Sequence, residues 1–98
     1  MPPTYLRGGI PAHINETTGT ATVEEWVWEG AEVANYFWFK NISAGTITLS
    51  FTRADAVAGI GITVLTGVVW EGPTEIGGFY TVAVAPLAFE AVAFRRRG

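Results

Sequence analysis

The sequence predicts an all-β domain, either an antiparallel β-sandwich or a small jelly-roll-like barrel, with an extended N-terminal arm. Short segments rich in β-branched and aromatic residues recur at regular spacing, with Gly and Pro between them. No helix longer than a turn or two is visible. The length of 98 residues suits a single domain, which we assign to residues 21–98. Residues 1–20 hold three prolines and no apolar periodicity, so we predict an extended arm there.

The first predicted strand covers residues 23–28. Its alternation places Trp26 and Trp28 on one face together with Glu24. Residues 29–32 then read as a turn.

The second predicted strand, residues 33–40, carries aromatic rings on both faces. Tyr36 and Trp38 share one face, and Phe37 and Phe39 share the other. A small soluble monomer rarely covers both faces of such a strand, so this segment raises the question of what covers the second one.

The remaining strands follow in sequence after a loop at residues 41–45, where Gly45 suits a left-handed backbone position. The next strand alternates cleanly, with Ser50 and the threonines facing outward. Its inward residues are Ile47, Leu49 and Phe51. Residues 54–59 form a loop or one helical turn, and Gly72-Pro73 and Gly77-Gly78 break the chain. The other predicted strands are residues 60–66, 68–71 as a continuation or a new strand, 79–85 and 87–95.

The composition indicates association between subunits. Hydrophobic residues make up 49% of the chain and charged residues only 15%, below the usual quarter or so. Four Trp, three Tyr and six Phe add bulky apolar surface. A lone small domain would expose part of that surface, so we expect a homo-oligomer, a dimer or trimer. The alternative is a monomer with a tightly filled core.

The charge distribution argues against nucleic acid as a partner. Residues 1–94 hold three cations against nine carboxylates, a net charge of −6, and the C-terminal arginines bring the total to −3. Phosphate recognition needs clustered Lys and Arg, and the only cluster is Arg95, Arg96 and Arg97. This basic end is either solvated or docks onto an acidic partner surface. No apolar run approaches the roughly 18 residues of a membrane span, and the first residues lack a signal-peptide pattern.

No pattern of residues indicates catalysis, a metal or a cofactor. The chain has no cysteine, and its sole histidine, His13, lies in the Pro-rich arm. The Gly-rich residues 58–64 lack the GxxxxGK pattern of a phosphate loop. Four carboxylates crowd residues 24–32, where sequence neighbours point to opposite faces of a strand, which favours a solvated edge. These are Glu24, Glu25, Glu29 and Glu32. We therefore expect a protein that is not an enzyme.

The four tryptophans admit three interpretations. Indoles in strands fill a core, line a protein interface, or offer a platform on which sugars stack. The sequence leaves all three open for Trp26, Trp28, Trp38 and Trp70.

Three stretches carry a resemblance to a known class of proteins. They are KNISAGTITLSFTR, GITVLTGVVWEGP and GFYTVAVAPLAFEAVAFRR, and the layout they share covers about residues 38–95. Their layout resembles the small β-sandwich structural proteins of tailed-bacteriophage virions, the capsid decoration or cement class. The acidic, Trp-rich residues 24–32 depart from that layout.

The resemblance implies a non-enzymatic structural protein on the capsid surface of a virion. Proteins of this class occur as symmetric trimers or dimers seated on a capsid lattice, so the implied partners are further copies and the major capsid protein or another virion protein. The second hypothesis is a carbohydrate-binding or host-recognition module that uses exposed tryptophans. The residues expected at interfaces are Tyr5, Leu6, Ile10, Trp26, Trp28, Tyr36, Trp38, Trp70, Arg95, Arg96 and Arg97.

Overall fold

The computed structural model of the chain describes residues 4–6, 12–19, 23–28, 33–84 and 86–95. These ranges hold nine strands and one short helix. The strands are β1 (Thr4–Leu6), β2 (Ala12–Thr17), β3 (Val23–Trp28), β4 (Ala34–Asn41), β5 (Ile47–Ser50), β6 (Ile62–Val64), β7 (Val69–Ile76), β8 (Gly78–Val82) and β9 (Ala88–Phe94); the helix α1 (Arg53–Ala58) lies between β5 and β6.

The strands form two sheets that pack face to face, which confirms the predicted all-β sandwich. The five-stranded sheet has the order β1-β3-β8-β5-β6, and the four-stranded sheet has the order β2-β9-β4-β7. The pairings are antiparallel except that β1 runs parallel to β3.

Aromatic rings from both sheets fill the space between them. Trp26 of the five-stranded sheet meets Phe89 of the four-stranded sheet edge to face, with ring centroids 5.0 Å apart. Phe79 and Phe37 meet across the sheets at the same centroid distance of 5.0 Å. The Trp26 indole donates a hydrogen bond of 2.9 Å to Thr81 Oγ1, so its polar edge is satisfied inside the core.

The alternation read from the sequence matches these inner and outer faces. In β4, Phe37 and Phe39 are fully buried, whereas Tyr36 and Trp38 lie half-buried on the outer face. In β9, alternate residues are buried in the same way over its whole length. A period of two therefore decides which side chains enter the core.

The N-terminal segment departs from the prediction, because two of its stretches are packed strands. β2 pairs with β9 over its full length, and Ile14 is only 4% exposed within the core cluster. β1 adds an edge strand next to β3. The prediction that residues 1–20 supply no packed element is therefore wrong for these two strands.

Three local expectations also need correction. β7 runs through Gly72-Pro73 without a break, because it is an edge strand and one of its sides needs no ladder hydrogen bonds. Gly45 does not take a positive φ; a Cβ there would lie 2.9 Å from Leu87 Cδ1, so a larger residue would require the Leu87 side chain to shift. Ser50 is buried, with its hydroxyl donating a 2.6 Å hydrogen bond to the carbonyl of Ile60.

The helix α1 is the single helical turn or so that the sequence allowed over residues 54–59. Thr52 caps its start by accepting a 3.2 Å hydrogen bond from the Asp55 amide, and Gly59 ends it in the left-handed conformation, with φ 73°. In the part of the chain that the structure describes, no helix is long and apolar enough to cross a membrane.

Candidate functional site

The outer side of the four-stranded sheet carries an unusual group of apolar side chains, which we call the aromatic face: Tyr36, Trp38, Val92 and Phe94. The register of β4 and β9 makes them two adjacent cross-strand pairs, Tyr36 with Phe94 and Trp38 with Val92. The Tyr36 and Phe94 rings lie 5.0 Å apart. All four side chains remain half-buried, so they cover one another only in part.

A depression of about 310 Å³ lies on the aromatic face, and two carboxylates also line it. Glu71 stands beside Trp38 on β7, and its Oε2 accepts a 3.1 Å hydrogen bond from the Tyr36 hydroxyl. Glu90 lies on β9, two residues before Val92 on the same face. The depression is therefore lined by four apolar or aromatic side chains and two carboxylates.

Two basic side chains lie next to Glu90. Lys40 is its cross-strand neighbour on β4. His13 Nε2 of β2 lies 3.6 Å from Glu90 Oε2. Glu71 has the Tyr36 hydroxyl as its polar neighbour instead, so the two carboxylates have different surroundings.

The four tryptophans differ in burial, and the interface prediction does not hold for Trp26 and Trp28. Trp26 and Trp28 are each 1% exposed on the inner face of β3, so no indole surface is left for a partner or a sugar. Trp70 is half-buried and packs inward, with its ring 5.4 Å from that of Phe51. Trp38 is the indole that lines the aromatic face.

Of the other predicted interface residues, Tyr5 and Arg95 have described side chains, and neither lines the depression. Tyr5 is 63% exposed on β1, at the edge of the opposite sheet. Leu6 lies in the same strand by its backbone. Arg95 directly follows β9, and its Nη1 donates a 2.8 Å hydrogen bond to the carbonyl of Val33. The predictions for the Leu6 side chain, Ile10, Arg96 and Arg97 lie outside the described residues.

A second surface, which we call the loop end, consists of residues 42–46, 65–68 and 83–84 at one end of the sandwich. It contains no charged residue. Four aliphatic side chains are exposed on it: Ile42, Leu65, Val68 and Val84.

Asn41 joins two of these loops from a fully buried position. Its Nδ2 donates to the carbonyls of Gly45 and Val64 at 2.7 and 2.8 Å, and its Oδ1 accepts from the amide and hydroxyl of Ser43 at 2.9 and 2.6 Å. The Gly67 amide also donates to the Asn41 carbonyl, at 2.8 Å. A satisfied polar network thus joins two of the three loops of the loop end, residues 42–46 and 65–68.

Across the described ranges, no group of three or more His, Cys, Asp and Glu side chains could hold a metal ion. The Tyr80 hydroxyl on the outer side of the five-stranded sheet donates a 3.1 Å hydrogen bond to Glu25 Oε2. Burial, followed by this bond and the charge of Glu25, raises the pKa of Tyr80, and Arg53 partly offsets the shift. Such a phenol remains protonated at neutral pH.

Comparison with known proteins yields no match of this chain to a protein-family model, a curated protein or a solved structure. The two surfaces of the sandwich, the aromatic face and the loop end, are therefore what can indicate its function.

Sequence reasoning missed the residues that complete the aromatic face. Val92 and Phe94 alternate with buried alanines, a signal that the sequence contains but that the prediction did not use. Glu71 and Glu90 lie far apart in the chain, and only the order β9-β4-β7 brings them to one depression.

Proposed function

We propose that the protein is a non-enzymatic structural protein of a tailed-bacteriophage virion, of the capsid decoration or cement class. Its copies associate through the aromatic face. The observation that carries this proposal is the half-buried set Tyr36, Trp38, Val92 and Phe94, which keeps part of its apolar surface exposed on the side of the sheet opposite the core. Apolar surface that folding leaves uncovered is typical of subunit contacts.

The loop end supports attachment to a larger particle. It offers exposed aliphatic side chains without any charge, and hydrogen bonds of Asn41 tie together two of its three loops, residues 42–46 and 65–68. An apolar surface whose loops are already ordered loses little conformational entropy on binding, so it suits a stable contact with another protein. In this proposal the receiving surface belongs to the major capsid protein or another virion protein.

Mass analysis of purified particles tests the proposal. We expect the chain in a fixed ratio to the major shell protein. The double variant Leu65→Asp with Val84→Asp should keep the parent circular dichroism spectrum. It should no longer attach to the particle, because two charges would be desolvated in the contact between the loop end and the particle. Val57→Asp is the matched control, since Val57 is a comparably exposed aliphatic residue on α1, away from the loop end. Particles without the chain, or undiminished attachment of the double variant, would contradict the proposal.

A sugar-binding module is the second candidate, and the depression on the aromatic face favours it. Trp38 and Tyr36 offer rings for stacking, and Glu71 and Glu90 offer acceptors for sugar hydroxyls. Titration with a panel of sugars, followed by indole fluorescence, separates the candidates. A saturable change that disappears in Trp38→Phe and does not depend on protein concentration supports sugar binding. A change that follows protein concentration alone supports association.

A further inference from the structure

The depression on the aromatic face has the chemistry of a site for a cationic side chain. Its rings come from Tyr36, Trp38 and Phe94, and the carboxylates of Glu71 and Glu90 also line it. A cation over an aromatic ring is attracted by the ring quadrupole, and nearby carboxylates add charge-assisted hydrogen bonds. The Tyr36 hydroxyl holds Glu71 in this position.

A guanidinium fits this combination better than an ammonium does. It is flat, it stacks on aromatic faces, and it pairs with carboxylates through two parallel hydrogen bonds. The sequence contains one cluster of such groups, Arg95, Arg96 and Arg97. Arg95 already donates to the Val33 carbonyl of its own chain, so Arg96 and Arg97 are the candidates.

The arrangement of β9 points to the arginines of a second copy. From Glu90 to Phe94 the strand runs across the depression, and its direction at Phe94 leads the chain away from Glu90. In a two-fold contact between aromatic faces, each Phe94 lies near the face of the other copy, and every contact occurs twice.

The charge distribution gives a reason for the arginines of one copy to contact the other copy. Residues 1–94 carry a net charge of −6, so two copies repel each other as their faces approach. We propose that the depression of one copy receives Arg96 and Arg97 of the second copy, between Trp38 and the carboxylates of Glu71 and Glu90. This inference rests on the proposed association through the aromatic face and names what the face binds.

Charge reversal tests the proposal in the full-length chain, with the association constant measured by sedimentation equilibrium. Arg96→Glu with Arg97→Glu should weaken association about tenfold or more, and so should Glu71→Lys with Glu90→Lys. The chain that carries all four changes should regain association, because the opposite charges again face each other. Arg53→Glu is the control for a general charge effect, since Arg53 lies on α1 beside the other sheet.

A peptide provides the second arm. A synthetic peptide with the sequence of residues 94–98, FRRRG, should change the Trp38 fluorescence of the parent, and salt should weaken its binding. The peptide with serine in place of its arginines should not bind, and neither peptide should bind Glu71→Lys with Glu90→Lys.

The outcomes separate this inference from the proposed function. If the parent associates and Trp38→Ser abolishes association, but the charge reversals change nothing, the arginine site is overturned while the aromatic interface stands. If the four-change chain fails to regain association although both pairs weaken it, the pairing of these groups is overturned. A parent that does not associate overturns the interface itself, and the proposed exchange with it.

Discussion

Asn41 shows how one buried polar residue fixes a surface. It is fully buried, yet all of its side-chain hydrogen-bonding groups have partners, in the loop at residues 42–46 and in β6. Within the described ranges, no buried side-chain nitrogen or oxygen is left without a partner. Burying polar groups of this kind costs little folding free energy while they are hydrogen-bonded, but removing one partner destabilises the protein strongly.

We therefore predict that Asn41→Ala destabilises the protein by about 3 kcal/mol, because the carbonyls of Gly45 and Val64 lose the donor at 2.7 and 2.8 Å, and Gly45 keeps only two longer bonds of 3.4 Å. Asn15→Ala on β2 is the control, since Asn15 is exposed, and its change should stay within about 0.5 kcal/mol. Urea unfolding measures both. Equal, small effects would mean that Asn41 does not brace the loop end.

Tyr80 should make stability depend on pH in the alkaline range. Its pKa is raised above the ordinary value of 10.0, chiefly by burial and then by Glu25. The protonated phenol is the form that the fold favours, so its contribution is complete below pH 10 and declines as the pH rises through the raised pKa. We predict a shallower alkaline loss of stability for Tyr80→Phe than for the parent. Parallel curves from thermal unfolding across that range would contradict this.

At the scale of elements, the sequence predicted the strands whose inner residues are large. Trp26 and Phe37 mark β3 and β4, and alternation marks β9, because bulky apolar residues that recur with a period of two are typical of strands. β2 was missed because it is an edge strand with a single buried large residue, Ile14. The parallel pairing of β1 with β3 depends on distant contacts that no local pattern records.

Two substitutions in β2 test whether this strand belongs to the core. Ile14→Ala should cost about 2–4 kcal/mol, because it removes a core side chain that is 4% exposed. His13→Ala, one residue away on the outer face, should cost less than about 1 kcal/mol, since its pairing with Glu90 is on the surface. Denaturant midpoints give both values. If Ile14→Ala matched His13→Ala, β2 would not belong to the core.

On the scale of the whole molecule, the sandwich explains why aromatic rings occupy both faces of β4. One set fills the space between the sheets, and the other set forms the aromatic face together with β9. The sequence could predict that the chain has more aromatic surface than one small core can cover. It could not predict which of the four tryptophans lie in the core, because their burial depends on which sheets pack together. Trp26 and Trp28 lie in the core, and Trp38 lies on the outer side.

The most direct test of the central claim, that the aromatic face is an interface between copies, is sedimentation equilibrium over a concentration series. We predict that the parent associates at micromolar concentration and that Trp38→Ser sediments as a single 10.5 kDa species with an unchanged circular dichroism spectrum. Thr63→Ser, an exposed position on β6 of the opposite sheet, should associate like the parent. A parent that remains a 10.5 kDa monomer throughout the series would contradict the claim.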